Sequence, residues 1–581
     1  MPGPSRVSWG LLPWGALPNR VSALLRDLPI IAAGLGIFSG VLSLAHYWAG
    51  PVSTGAEIQL DPAVLPKYAL FSVARIAIAY CLSLALALTY AYVAANNPKA
   101  ERILIPLLDS LQSIPVLSFL PPVMVAMVTL FPTRQLGIEL GSILLILTGQ
   151  VWNMAFSVYS SLKSIPREMV EAARVYRLSW WQRFLQLDLP YSAIGLVWNS
   201  MMSVAGAWYF LTACEMFVLG KRDLRLPGLG SYLQTATNAG DTRAILWGLA
   251  VMVAVIVSID QLVWRPTIAW SEKFKFEQVE AQQTPTSPVL DLLRRSRVVS
   301  RVTRVTWLPA REALMRHFAK AHAAGNEKPA GRLRTRLPLV AAGLGLAAIA
   351  YAVLRMIAML ASLTRSDIGN LFWGAGATFL RVEFTLLLAG LWTVPVGVFI
   401  GLRPRLAAFA QPIAQMAASI PAVAVFPIVL MVLIQIGGGL GIASILLLLL
   451  GTQWYVLFNV IAGATAIPTD LKEVCNIYHV SRLERWRRLI LPGIFPYLIT
   501  GFVTASGGAW NASVVAEYQR FRDQSFSTTG LGAIISQATD SENFALLLGA
   551  TVVMSLVVVT VNRLLWRPLY SLASTKFKLE N

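Results

Sequence analysis

Glu171-Ala172-Ala173, closed by Leu189-Pro190, decides how this chain is read, because the same layout returns as Glu473-Val474-Cys475 closed by Leu491-Pro492. Both pairs stand at one offset, 473 − 171 = 302 and 491 − 189 = 302. Each copy is a polar, basic segment between long apolar runs. A helix in each would present Arg174, Arg177 and Arg183, or Arg482, Arg485, Arg487 and Arg488, to an aqueous compartment. Two equivalent loops on two equivalent bundles suggest a pair of docking points for a two-fold partner.

The surroundings set the class. The 581 residues are 56% hydrophobic and 13% charged, with a mean hydropathy of +0.62. That is too apolar for a soluble domain and marks a multi-span membrane protein. The formal net charge is +19. The basic residues cluster in loops, where they orient spans and meet lipid headgroups; no aromatic-and-basic module points to nucleic acid. Cys81, Cys214 and Cys475 are scattered, so neither a metal site nor a disulfide framework is expected.

A membrane helix needs about 20 apolar residues. On that rule the first half holds spans near 28–48, 67–94, 104–130, 138–161, 190–218 and 243–264, and the second near 338–362, 373–401, 407–435, 438–462, 493–518 and 543–565. Only helices satisfy their own backbone in lipid, so the expectation is an all-α integral membrane protein of about 12 transmembrane helices. Lys99, Arg102, Lys163, Arg167, Arg403, Arg405 and Lys472 fall on one side, which predicts both termini and both repeated loops in the cytoplasm. Lys221, Arg222, Arg225 and Arg243 are the exception. The first apolar run reads as a retained span and not as a signal peptide.

The repeat covers most of each half. Arg75 matches Arg381, and Ser113-Ile114-Pro115 matches Ser419-Ile420-Pro421, at offset 306. From Gly149/Gly451 onward the offset is 302, through Trp208/Trp510, Glu215/Glu517 and Gly228-Leu229-Gly230/Gly530-Leu531-Gly532. Six spans per half make this a parallel repeat, with a pseudo-two-fold axis along the membrane normal. The expected divisions are a cytoplasmic segment 1–27, a six-helix domain 28–265, a basic cytoplasmic linker 266–336 and a second six-helix domain 337–581. Within the linker, 291–320 reads either as a basic amphipathic helix on the membrane surface or as a solvated tether.

No catalytic signature is present: no phosphate-binding glycine loop, no HExxH and no nucleophile–base pair. The chain reads as a protein that moves something and leaves hydrolysis to others. Glu-Ala-Ala, a fixed gap and Leu-Pro, in a loop before the penultimate span, resembles the coupling loop of ABC importer permeases of the binding-protein-dependent type. Ile114-Pro115, Trp152-Asn153 and Leu226-Pro227-Gly228-Leu229-Gly230 resemble the nitrate/sulfonate/bicarbonate branch, and specifically its duplicated, fused anion-transport permeases.

The resemblance implies a type I importer fold in a bacterial inner membrane. As partners it implies two ATP-binding cassette subunits, which bind the ATP and Mg, with no cofactor in this chain. It leaves open a periplasmic or lipid-anchored substrate-binding protein. The coupling loops would comprise Glu171, Ala172, Ala173, Arg174 and Arg177, and Glu473, Val474, Cys475, Asn476 and His479. Glu171 and Glu473 would cap or brace the coupling helices. The family usually carries Gly where Arg177 and His479 stand; Gly there permits an unusual turn, which Arg and His either avoid or adopt with strain.

Inside the spans, Glu215 and Glu517 need a partner or water. Arg75 and Arg381 supply opposite charge at similar depth, either as structural salt bridges to those glutamates or as groups that draw an anion inward. The Ser-Ile-Pro breaks either kink the packing or line a pathway; Ser113, Ser419, Asn199, Ser203, Ser506 and Asn511 are the candidate lining residues. Trp208 and Trp510 read as packing or gate residues. The rival to an ABC permease is an ion-gradient carrier working alone, with Glu215 and Glu517 on its ion route.

Overall fold

The computed structural model describes residues 58–132, 135–219, 222–274, 287–313, 350–435, 439–521 and 524–576, with a few isolated positions besides. The expected segment 1–27, the span 28–48 and much of the span 338–362 lie outside the described residues.

Two copies of one helical unit follow each other. The first runs α1 (Pro62–Asn96), α2 (Pro98–Ser113), α3 (Leu120–Leu130), α4 (Leu136–Lys163), the short α5 (Arg167–Val175) and α6 (Trp180–Glu215). A hairpin of β1 (Val218–Leu219) and β2 (Arg222–Asp223) leads to α7 (Leu229–Ala239) and α8 (Thr242–Phe274). After linker helices α9 (Pro288–Arg295) and α10 (Arg297–Val302), α11 (Ala350–Leu360) opens the second copy. Then come α12 (Arg365–Gly401), α13 (Pro404–Ser419), α14 (Ala422–Gln435), α15 (Leu440–Ala466), the short α16 (Thr469–Ile477) and α17 (Arg482–Ala516). The antiparallel hairpin β3 (Tyr518–Phe521) and β4 (Gln524–Ser527) precedes α18 (Leu531–Asp540) and α19 (Phe544–Ala573).

Among the described residues, 8 helices are long and apolar enough to cross a membrane. The architecture is the expected all-α membrane bundle, duplicated. The regions read as single spans at 104–130 and 407–435 are instead each broken in two. Proline disfavours the helical region for the residue before it. Ile114 (φ −81°, ψ 129°) and Ile420 (φ −74°, ψ 120°) are accordingly extended, which ends α2 and α13.

Proline leaves a second, subtler mark. Four span helices contain one wide π-type turn: Phe184–Asp188, Asp260–Trp264, Trp486–Ile490 and Asn562–Trp566. Each ends two residues before a proline, namely Pro190, Pro266, Pro492 and Pro568. A proline inside a helix has no N–H to donate and its ring crowds the carbonyl four residues back, so the preceding turn widens. The Leu-Pro that closes each repeated loop is thus the residue pair that sets how the loop enters the next span.

The halves interlock through two buried clusters that each draw residues from both. Val116, Leu117, Leu120 and Met124 around the first break pack in the same buried cluster as Trp510, Leu547 and Met554 of the second half. Reciprocally, Ala424 after the second break sits in a cluster with Trp208 and Tyr232 of the first. Leu117 N–H donates to Asn511 Oδ1 (3.3 Å) and the Thr551 hydroxyl to Ser118 O (3.2 Å) across this seam. In the linker, the stretch 291–320, read as either a surface helix or a tether, starts as two short helices broken at Ser296, which caps α10 by accepting from Val299 N–H (3.3 Å).

Candidate functional sites: twin loop helices, buried charges and a central pathway

The repeated motif forms α5 and α16, one short helix per half, at the same end of the bundle. Proline 166 or 468 stands at each N-cap. The first-turn acids favoured by the helix dipole are therefore Glu168 and Asp470. Glu171 and Glu473 fall a turn later, exposed, with no hydrogen bond among the described residues. The reading of these two as capping groups is corrected: their carboxylates face outward. Ala172 is exposed and Ala173 buried, while Val474 is exposed and Cys475 half-buried.

Beyond them lies a conspicuous pair. Val175 and Tyr176 are 79% and 78% exposed, and their equivalents Ile477 and Tyr478 71% and 76%. Apolar and aromatic groups held this far out of the protein are what a docking surface needs.

Both helices end in a left-handed residue. Arg177 has φ 47° and His479 φ 48°. Leu178 N–H reaches Ala173 O (3.0 Å) and Arg177 N–H reaches Arg174 O (2.9 Å). Val480 N–H to Cys475 O (3.0 Å) and His479 N–H to Asn476 O (3.2 Å) repeat the pattern. This is the Schellman termination, which favours glycine at the left-handed position. Arg and His adopt it nonetheless, at a strain of about 1–2 kcal/mol. Arg177→Gly should therefore leave hydrogen exchange across 176–178 as slow as in the parent or slower. A β-branched Arg177→Val should speed it by about tenfold. The loops also differ: Arg485 donates to Asn476 Oδ1 (2.5 Å), whereas Arg183 pairs with buried Asp188 (3.3 Å). Arg174, a cation where Asn476 stands, offers no acceptor.

At the opposite end, the hairpin end, lies a buried charge network. Arg75 on α1 is wholly buried; its Nε and Nη2 donate to Glu139 on α4 (2.6 and 2.7 Å). Its Nη1 donates to Glu215 (2.7 Å) and to Pro227 O (2.9 Å). Glu215 also accepts from the Ser72 hydroxyl and from Gly230 N–H, each at 2.7 Å. Burying ions is tolerable when they are paired and their remaining lone pairs filled. All three guanidinium nitrogens of Arg75 are engaged by these partners, and Arg75 lines none of the three cavities described below. Glu139 escaped the sequence reading; its signal was a lone acid opening the apolar run 136–147.

In the second half Arg381 pairs with Glu517, and its Nη2 reaches Thr528 Oγ1 (3.2 Å) and Thr529 O (3.1 Å). The Thr378 hydroxyl (2.8 Å) and Gly532 N–H (2.8 Å) complete Glu517. The position matching Glu139 is Gly441, by 139 + 302 = 441. The Gly-Leu-Gly motif has a steric reason. A Cβ on Gly228 would overlap the Glu215 carboxylate, and one on Gly530 that of Glu517. Gly228→Ala and Gly530→Ala should each lower the melting temperature of the purified chain markedly, while Ala at Gly206, where nothing lies within 4 Å, should not.

Three cavities follow one another between the ends. At the hairpin end, about 400 Å³ is lined by both halves, including Arg225 and Gln234 of the first and Tyr518 and Asp540 of the second. Burial pushes the Asp223 carboxyl there up, but the hydrogen bonds and charge of Arg225 outweigh it and hold it below its ordinary range. In the middle, about 140 Å³ is lined by Tyr209, Phe210, Pro421, Tyr455 and Asn511. Towards the loop helices, a recess of about 350 Å³ is lined by Gln112, Asn153 and Asn199 with four serines.

Asn199 and Asn511 therefore do face cavities. Ser506 accepts from Trp566 Nε1 (3.2 Å) and is a packing contact. Ser203 is buried, lines none of the three cavities, and its hydroxyl has no partner among the described residues. Ser113 and Ser419 end their helices, their side chains lying outside what is described. Trp208 and Trp510 are buried in the bundle.

A doubled bundle of membrane helices, with one protruding helix per half and two cavities lined by both halves, has the form of the membrane subunit of a transporter. Residues 83–263 and 393–565 each match the family of binding-protein-dependent transport system inner membrane components. The chain belongs to that family, and carries its domain twice. It is similar to the nitrate import permease protein of Leptolyngbya laminosa, 28% identical over 34% of this chain and 66% of that one. It also resembles the bicarbonate transport system permease of Synechococcus elongatus (30%; 26% and 52%) and the taurine transport system permease of Escherichia coli (29%; 28% and 55%). The matches span about half to two thirds of these relatives.

Proposed function

We propose that the chain is the membrane subunit of an ABC importer for a small anion of the nitrate, bicarbonate or sulfonate kind. One chain does the work of two permease subunits and carries two ATP-binding cassette subunits, which bind the ATP and Mg. The observation that carries this reading is the pair of protruding helices α5 and α16, each showing an exposed aliphatic–tyrosine pair.

In this mechanism, ATP closes the ATPase dimer and draws α5 and α16 together around Glu171 and Glu473. The halves rock about their shared seam. Access to the central cavity switches from the hairpin end to the loop-helix end, and a substrate-binding protein delivers the anion at the hairpin end. The loop-helix end is cytoplasmic, with both termini, in a bacterial inner membrane; Lys99, Arg102, Lys163 and Arg167 there agree with the positive-inside bias. The ion-gradient alternative puts Glu215 and Glu517 on its ion route, and the full hydrogen-bond complement of these two speaks against that role for them.

The test is uptake of nitrate, bicarbonate and taurine by cells carrying the whole system. Uptake of at least one should depend on ATP and vanish with the double Walker-motif knockout of the ATPase subunit. Uptake that persists without ATP and collapses with the membrane potential would overturn the reading.

A further inference from the structure

The two halves are not equivalent where they meet the pathway. The first half's recess is built from uncharged hydrogen-bonding groups on three helices: Gln112 at the end of α2, Asn153, Ser157 and Ser160 along α4 with Ser164 at its C-cap, and Asn199 on α6. Asn153, Ser157, Ser160 and Ser164 fall on one face of α4 by helical spacing. Gln112 Nε2 donates to Asn153 Oδ1 (3.2 Å), which leaves the Asn153 amide N–H pair for a ligand. Asn199 is anchored by its own amide to Gly195 O (2.9 Å).

Repeat symmetry gives each of these a counterpart, and most of the counterparts lack the chemistry; Asn459, in the place of Ser157 (157 + 302), keeps an amide, whose Nδ2 is spent on Tyr455 O (2.8 Å). Gln112 corresponds to Ala418 (112 + 306), Asn153 to Tyr455, Ser160 to Ala462 and Asn199 to Gly501 (each + 302). At Gly501 an added side chain would meet Asn459 Cβ (3.1 Å) and the backbone of Val456 and Tyr455 (3.1 and 3.2 Å), so an amide there would have to push its neighbours aside. Ala418, Tyr455 and Phe458 line the central cavity between the halves. The same symmetry assigns Gln112, Asn153 and Phe156 to the face equivalent to the one that Ala418, Tyr455 and Phe458 turn to the central cavity, which argues for the pathway over the lipid side.

We infer that this recess is the inward-side subsite of the pathway: it holds a small oxoanion through neutral amide and hydroxyl donors of the first half alone. The inference deepens the transport reading and rests on it. Neutral donors suit the task. They satisfy an anion's oxygens without the charge pairing that would trap it, and the basic loop end raises the local anion concentration.

The test uses the full-length chain in inverted membrane vesicles, with Cys81→Ser, Cys214→Ala and Cys475→Ser removing the native thiols. A single cysteine is then placed as Ser160→Cys or as Ala462→Cys, both exposed helix positions. The rate of maleimide labelling is read with and without nitrate, bicarbonate, sulfate or taurine, against chloride at equal ionic strength. At least one of these oxoanions should slow labelling at position 160 by about threefold or more and leave 462 unchanged. Adding Asn153→Leu should abolish the protection while the unprotected rate stays as before.

Equal protection at both positions, protection by chloride alone, or none from any of the four would overturn the inference. Labelling requires no ATP and no partner. Failure of the importer reading would instead show as a chain that binds no ATPase subunit, whatever happens at position 160.

Discussion

Tyr176→Glu combined with Tyr478→Glu is expected to strip the ATP-binding subunits from the purified chain and bring uptake to background. Each tyrosine is more than three-quarters exposed in the isolated chain. An aromatic side chain buried at an interface removes about 150–250 Å² from water, at about 25 cal/mol per Å². Losing that at one helix weakens docking by several kcal/mol, and a carboxylate forced into the contact adds a desolvation penalty. The chain itself should fold and elute as the parent does, because neither tyrosine packs inside it. Each single variant should keep one docking point and so retain about one ATPase subunit per chain. If the double variant keeps both subunits, the loop helices are not the docking elements.

The second large effect concerns the buried charges. Arg75→Leu leaves Glu139 and Glu215 buried with no cation, and breaking a buried pair costs about 3–5 kcal/mol. The variant should fail to accumulate as a monodisperse protein in detergent. Arg381→Leu should be milder: only one carboxylate depends on it, its side chain is 11% exposed, and Thr378 and Gly532 still support Glu517. The triple variant Arg75→Met, Glu139→Gln, Glu215→Gln separates charge from shape. It removes the uncompensated ions while keeping amide acceptors for Ser72 and Gly230, and should recover much of the lost yield. Equal severity for Arg75→Leu and Arg381→Leu would show that the network's extra carboxylate carries no weight.

The duplication and the helix class were open to reading because membrane helices announce themselves through long apolar runs and because an offset of 302 is a property of sequence alone. The proline breaks were half legible. Ser-Ile-Pro flagged an interruption, yet the runs 104–130 and 407–435 stay apolar across it, so hydropathy could not reveal that each is two helices. Arg75 with Glu215 followed from depth and opposite sign. Glu139 did not, since it sits alone at the start of an apolar run and has no equivalent in the second half. Glu171 and Glu473 misled as capping groups because the motif marks the helix but not its first residue; Pro166 and Pro468 set that. The recess was hidden for another reason: Asn153, Ser157, Ser160 and Ser164 look like ordinary polar relief in a span until Gln112 and Asn199 are seen to close on them.

The central claim is that this one chain carries two ATPase docking points. The most direct test is affinity purification of the full-length tagged chain from its native membrane in mild detergent, with the bound proteins identified and counted. Two copies of an ATP-binding cassette subunit per chain are expected. A chain that purifies alone, and in liposomes moves anions on an ion gradient without ATP, would contradict it.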